Sequence, residues 1–386
     1  MKDVIIVGAG FAGSTLANLF ANANKKVLVI DKRSHIGGNM YEETRDNGAR
    51  VHKYGPHIFH TNDKEVFEYL QKFTSFYFYE HRVIGYIDGE YVPIPFNFKS
   101  LELLFPSDKV KLIKEKLLKT YGEQKKVSIL DLLNDSDDVI REFGKYVYEK
   151  VFVHYTAKQW NVPISEVDSS VINRVPVILG YDDRYFQDTY QAMPKNGYNE
   201  IFENMLDNKN IEVKLNTNAK DLLRIDTDNK KIYYDNKEFK GIVIYSGPLD
   251  ELLEYQYGPL PYRSLDLVFE DRDENYYQPS SVVNYTVSEK FTRITEFKYL
   301  SNQVVKDNTT ILKEYPLTYD YKNKEHVPYY AIFNDTNLAL YKKYYDSVKD
   351  IDKFYLCGRL AEYKYYNMDA VVRRALDLFK EIEGVR

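Results

Sequence analysis

The chain has 386 residues, too many for one compact core; at roughly 150 residues per domain it should form two or three. Lysine plus arginine (53) nearly balances aspartate plus glutamate (58), so no global basic field points to nucleic acid. The single cysteine, Cys357, excludes an intramolecular disulfide framework and fits a reducing cytoplasm.

The N-terminal apolar run, Val4 to Val7, ends at Gly8, and no run approaches the ~18 apolar residues of a membrane span. A cytoplasmic protein with no membrane partner is therefore expected. Tyrosine is abundant, at 37 residues. The codon usage of an A+T-rich genome accounts for such a bias. A subset of the rings would also suit a polar pocket for sugars and phosphates.

In chain order, residues 3–7 read as a buried parallel strand, "FAGSTLANLFANAN" as a helix and "KKVLVID" as a second buried strand. Together they make a right-handed βαβ unit. "RVIGYIDGEYVPIP" predicts a hairpin turning at Asp88-Gly89, with Pro93 and Pro95 confining its second strand to a sheet edge. From Ser100 to about Trp160 the pattern is helical. "SDKVKLIKEKLLKTYG" runs from a serine cap to Gly122 and is followed by "SILDLLND" and "DDVIREFGKYVYEKVFVHYTAKQW". "GYNEIFENMLDN" predicts a helix, "IEVKLNT" a strand, and "KIYYDNKEFKGIVIYSG" a hairpin followed by a buried strand. "SLDLVFE", "SSVVNYTV", "TRITEFKYL" and "TTILKEYP" predict an antiparallel sheet. "KFYLCGRL" closes with a strand and "DAVVRRALDLFKEI" with an amphipathic helix. Both ends are α/β and the middle is not, so a nucleotide domain built from both ends is expected.

Gly8, Gly10 and Gly13 form G-x-G-x-x-G directly after a strand and at the start of a helix. The first glycine allows a tight turn, the second lets backbone approach a pyrophosphate, and the third allows close helix–strand packing. Asp31 ends the second strand, placed to accept hydrogen bonds from an adenosine ribose. Gly37-Gly38 follows at once, which is more typical of FAD enzymes than of simple NAD dehydrogenases. Arg359 in "CGRL" can pair with phosphate, and a helix opening near Met368 can point its N-terminus at a flavin carbonyl.

The usual redox partners are missing. There is no C-x-x-C and no second G-x-G-x-x-G. His57 and His60, three apart in "YGPHIFHT", lack the further ligands a metal requires, and none is expected. They read as loop histidines bonded to backbone or as contacts to the flavin ring. Tyr155, Thr156 and Trp160 share a helix face on which a flat base could stack. Arg174 and Arg293 lie among apolar or β-like neighbours, and two converging guanidinium groups suit a diphosphate.

These residues together resemble the UDP-galactopyranose mutase family. The matching runs include "VGAGFAG", "VIDKRSHIGGN", "VHKYGPHIFHTND", "YTAKQW", "NRVPV", "YDDRYFQDTYQAMPKNGY", "TRITEFKYL" and "CGRLAEYKYYNMD", and they span residues 4 to 369. The resemblance implies an α/β fold in three parts. A discontinuous Rossmann-type FAD domain takes residues 1–80, 196–255 and 335–386, and a helical domain takes 98–170. A six-stranded antiparallel sheet domain takes 81–97, 171–195 and 256–334.

The resemblance also implies interconversion of UDP-galactopyranose and UDP-galactofuranose, supplying galactofuranose for surface polysaccharide. In that chemistry N5 of reduced FAD acts as a covalent nucleophile at the anomeric carbon, with no net redox change. NAD(P)H would serve only as an external reductant, and a homodimer or higher homo-oligomer is expected.

Residue by residue, the resemblance implies Arg174, Arg293, His57 and His60 as catalytic. It implies His81, Tyr155, Thr156, Trp160, Tyr185, Asn284, Tyr330, Tyr365 and Asn367 as substrate-binding. Gly8, Gly10, Ala12, Gly13, Asp31, Lys32, Gly38, Asn39, His57, Ile58, Arg359 and Met368 would hold FAD. Two positions depart from the pattern. Asn367 stands where better-known bacterial members carry Asp, and His81 where some carry Asn. Relatives acting on UDP-N-acetylgalactopyranose or dTDP-fucopyranose would look the same. An amine-oxidase-type flavin oxidoreductase shares the N-terminal fingerprint but leaves the arginines and the Tyr/Trp set unexplained. A nucleotide-sugar-binding protein without turnover is the remaining rival.

Overall fold

The computed structural model describes residues 2–153, 175–286 and 289–384. At its centre lies a five-stranded parallel sheet in the order Ile211–Lys214, Val27–Ile30, Val4–Val7, Ile242–Tyr245, Phe354–Leu356. Val4–Val7 and Val27–Ile30 are buried along their whole length, as continuous β-branched runs in a doubly covered sheet should be. The helix Phe11–Asn22 and the C-terminal helix Met368–Glu383 share one apolar cluster, in which Leu16 and Phe20 meet Ala375 and Leu378. The sheet therefore gathers strands from the two ends of the chain and from its middle. Among the described residues no helix is long and apolar enough to cross a membrane.

A second sheet stands beside the first, in the order Tyr330–Ala331, Tyr262–Arg272, Thr309–Thr318, Arg293–Glu296, Val282–Tyr285, Val83–Ile87, Glu90–Ile94. It corrects the six-stranded antiparallel expectation twice. Seven strands are present among the described residues, and Val282–Tyr285 pairs parallel with Val83–Ile87. The physical reason is long-range. The hairpin 83–94 arrives from far upstream in the chain, and no turn chemistry fixes how it docks on a distant strand. The hairpin itself is as read: Asp88 and Gly89 take φ of 51° and 90°, and Glu90–Ile94 is the sheet edge.

Helices Phe98–Leu104, Ser107–Tyr121, Ile129–Leu133 and Asp138–Val147 pack with Val83, Ile87 and Ile94 in one core. Ser107 is not a cap, as expected from the sequence, but the first helical residue. Pro106 is the N-cap, and its fixed φ of −59° starts the helix one residue early. "TRITEFKYL" is likewise not all strand. Arg293–Glu296 gives way to a helix at Phe297–Ser301, where Phe297 and Leu300, three apart, are both buried.

The closest backbone approach in the central unit is at Gly13, where a Cβ would lie 1.8 Å from the Gly8 carbonyl oxygen. Gly13→Ala should push the helix off its strand and destabilise the fold by about 1–3 kcal/mol. Urea unfolding with an unchanged m-value measures this, and a loss within about 0.5 kcal/mol would contradict the packing.

Candidate active site

The strand Val4–Val7 ends in Gly8, whose φ of 104° turns the chain toward the helix Phe11–Asn22. A second glycine run braces the first from behind. Gly37 N–H donates to the Ala9 carbonyl at 2.8 Å, and a Cβ on Gly38 would lie 3.0 Å from Gly10 Cα. Asp31 ties the turn down, its carboxylate accepting from Ala9 N–H at 2.8 Å and Arg33 N–H at 2.9 Å. Gly358, at φ 120°, brings the C-terminal segment beside Ala12 and Ser246. The result is a cradle of side-chain-free backbone at a helix N-terminus, which fits the diphosphate of a dinucleotide.

Other expected cofactor residues sit around this cradle. Lys32 pairs with Glu251 at 2.9 Å, and Asn39 accepts from Arg33 at 2.8 Å. Ile58 packs at the margin of a core cluster, and Met368 opens the C-terminal helix. Arg359 donates to the carbonyls of Tyr366 and Tyr329, and its guanidinium lies 5.0 Å from the Tyr330 ring centre and 5.3 Å from that of Tyr365. Those two rings stack at 6.0 Å. Arg359, expected with the cofactor set, thus lies beside both tyrosines.

The second sheet supplies the facing wall. Asn284 stands opposite Arg293, and Arg293 opposite Glu314, so the three share one face. Arg293 Nε donates to the buried Glu314 carboxylate at 2.5 Å, which fixes the direction of the guanidinium. The Asn284 Oδ1 atom is buried with no hydrogen-bond partner among the described residues.

Three histidines lie close to Arg293 or to one another. Burial, aided by His52 and by the charges of Arg359 and Arg293, pushes His57 down to about 3. Its half-buried ring keeps a buried Nδ1 with no partner among the described residues. His81 is likewise pushed down to about 3, by burial first and then by Arg293 and His60. His60, on the strand Phe59–Thr61, places Nδ1 2.9 Å from Asp188 and stacks on Phe186 at 3.6 Å. Phe186 also lies 5.8 Å from His81, with Tyr185 edge-on to both. Asn367 is the N-cap of the C-terminal helix but makes no side-chain cap bond.

The site thus brings together His57, His60, His81, Tyr185, Asn284, Arg293, Tyr330, Tyr365 and Arg359. Tyr155, Thr156, Trp160 and Arg174 lie outside the described residues. Sequence reasoning missed Glu314, Asp188 and Phe186. Their only signal was position inside matched runs, since partners distant in sequence leave no spacing. Among the described residues no cluster of His, Cys, Asp and Glu is placed to hold a metal.

Comparison with known proteins agrees with this architecture. The profile of an NAD(P)-binding Rossmann-like domain matches residues 6–73, and that of UDP-galactopyranose mutase matches residues 150–365. The chain is 35% identical to the probable UDP-galactopyranose mutase of Klebsiella pneumoniae, over 97% of this chain and 93% of that protein. It is 32% identical to the dTDP-fucopyranose mutase of Escherichia coli, over 98% and 97%. A crystal structure of reduced UDP-galactopyranose mutase superposes with a TM-score of 0.72 at 16% identity, covering all of this chain and 96% of that one. A putrescine oxidase bound to putrescine shares the fold at a TM-score of 0.58. The fold is thus a mixed α/β one with a Rossmann-like dinucleotide-binding domain, and the chain is an isomerase. It belongs to the UDP-galactopyranose mutase family.

His81 yields a pH prediction. It resists protonation down to about 3 when folded, against an ordinary 6.5. Below about 6.5 the unfolded chain therefore takes up a proton that the folded chain refuses. The stability contribution is present above that value and is lost as pH falls. His81→Asn should flatten the loss of unfolding free energy between pH 6 and 4 by up to about 1.4 kcal/mol per pH unit. Equal slopes in urea titrations of the two proteins would show that folded His81 accepts the proton.

Proposed function

We propose that the chain binds FAD in the glycine cradle and, with that FAD reduced, interconverts the pyranose and furanose forms of UDP-galactose. The observation that carries this reading is the wall facing the cradle. There an arginine oriented by a buried glutamate stands beside histidines that burial keeps uncharged. A diphosphate wants that cation, and a sugar wants hydrogen-bonding groups that do not compete for it.

Reduced FAD, when bound, supplies a nucleophilic N5 for the anomeric carbon. The chain's own residues do the rest. Arg293, with Arg174 as its expected partner, binds the diphosphate and holds it as a leaving group, while Tyr330 and Tyr365 flank it beside Arg359. Tyr155, Thr156 and Trp160 take the uridine. Asp188 draws the proton of His60 to Nδ1, leaving Nε2 to accept one from a sugar hydroxyl. His57 and His81 offer neutral ring nitrogens, and Asn284 an amide oxygen that has no partner among the described residues, to the sugar and cofactor edges. Tyr185 packs edge-on to His81 and limits the sugar end, and Asn367 contributes an amide at the helix start.

A second reading keeps the same chemistry on a different sugar. It is favoured by the 32% identity to a dTDP-fucopyranose mutase over 98% of the chain. The dithionite-reduced enzyme should convert UDP-galactofuranose to the pyranose when products are followed by chromatography. A panel of UDP- and dTDP-sugars run in parallel ranks the two readings. Substrate-dependent flavin reduction with no pyranose product would replace both with an oxidoreductase. Arg293→Ala should lower kcat/KM at least about tenfold, since a charge-assisted contact is worth roughly 1.5–3 kcal/mol. A loss below about twofold would remove Arg293 from the site.

A further inference from the structure

One buried carboxylate governs the main chain of His57 from two directions. Glu42 and His52 are cross-strand partners in the hairpin of Glu42–Thr44 and Arg50–His52, and both are almost wholly buried, at 3% and 1% exposure. Glu42 Oε1 lies 3.2 Å from His52 Nε2, and Oε2 accepts the Tyr198 N–H at 2.7 Å. His52 Nδ1 accepts the His57 N–H at 2.9 Å, and the Tyr198 hydroxyl donates to the His57 carbonyl at 3.2 Å. Both peptide groups of His57 are thus held by residues that Glu42 touches: Tyr198 through a hydrogen bond, and His52 through a close charge contact that is not itself a hydrogen bond. Gly197, at φ 90°, is what admits the carboxylate, because a Cβ there would lie 2.1 Å from Oε2.

Proton bookkeeping shows why the carboxylate is needed. The Nδ1 atom of His52 accepts from a backbone N–H, so it carries a lone pair and the ring proton sits on Nε2. An anionic oxygen beside Nε2 favours that tautomer electrostatically, and Glu42 Oε1, 3.2 Å away, is that oxygen. Nothing in the proposed chemistry uses Glu42, His52 or Tyr198 directly.

We propose that Glu42 is a positioning residue for the mutase reaction: through the tautomer of His52 it sets the backbone, and hence the ring, of His57. This rests on the reading of His57 as part of the reaction site. Glutamine at position 42 has one accepting and one donating end. With its oxygen on the Tyr198 N–H, its NH₂ faces His52 Nε2 and selects the Nδ1–H tautomer, whose hydrogen then meets the His57 N–H. With the amide flipped, its NH₂ meets the Tyr198 N–H. Either orientation sets donor against donor. Asparagine at position 52 breaks this dependence, because its Oδ1 accepts the His57 N–H whatever stands at 42.

The test is single-residue hydrogen–deuterium exchange at the His57 amide, with kcat and KM, on the flavoprotein as purified. Glu42→Gln should speed His57 exchange at least about tenfold while the strand Val4–Val7 stays unchanged. It should also lower kcat at least about fivefold with KM within about twofold. In a His52→Asn background the same Glu42→Gln change should alter either readout less than about twofold. His52→Ala, compared with His52→Asn, repeats the exchange contrast without touching Glu42 and serves if Glu42→Gln does not fold. Unchanged His57 exchange in Glu42→Gln would overturn the proposal, as would an equal effect in the asparagine background. Exchange that rises while kcat holds would overturn it too, because Glu42 would then order His57 without serving the reaction. Loss of all mutase activity in the unmodified protein, by contrast, would sink the functional reading and leave the exchange result untouched.

Discussion

The contact between Gly13 and the Gly8 carbonyl is the constraint from which the rest of the molecule follows. It lets the helix Phe11–Asn22 lie flat on its strand, so that the helix N-terminus and the turn before it end in the same place. Gly37-Gly38 and Gly358 then reach that place because nothing projects there to keep them away. Five parallel strands deliver their C-terminal ends to one rim, and the cradle is the consequence of that shared direction. The C-terminal helix completes it, packing on the first helix and starting at the rim.

The opposite wall is organised by electrostatics. Burial raises the cost of charging His57, and Arg359 and Arg293 raise it further. The outcome is fixed positive charge beside uncharged imidazoles, the combination on which the proposed function rests. Glu314 keeps Arg293 aimed, and its own burial keeps that pairing dry. Asp188 does the same for His60 by selecting which ring nitrogen carries the proton.

The C-terminal helix is also tied to the segment that carries His60. Thr61, next to His60, donates to Asp369 at 2.8 Å, two residues beyond Asn367. Arg373 grips both oxygens of Asp63, at 2.7 and 2.8 Å, one helical turn further on. A shift of the C-terminal helix would therefore carry the strand of His60 with it. The Glu42 network plays the equivalent part for His57.

How much of this was legible depended on range. The βαβ unit, the glycine fingerprint, the Asp88-Gly89 hairpin and the edge strand with its prolines were readable because each is local, decided by residues a few positions apart. The start of the helix at Pro106 and the strand-to-helix change at Phe297 were misread by a few residues, since propensity yields there to proline geometry and to burial of Phe297 and Leu300. The candidate residues of the site were named from matched runs, but what each does to its neighbour was not. The sequence by itself determined a dinucleotide cradle at the N-terminus and a chain whose ends return to it, because glycine spacing and β-branched runs act through local sterics. Only the tertiary structure decided the seventh strand and its parallel pairing, the aim of Arg293 by Glu314, the uncharged state of His57 and His81, and the hold of Glu42 on His57. Each of these depends on desolvation or on contact between residues far apart in the chain, and neither leaves a period or a spacing to read.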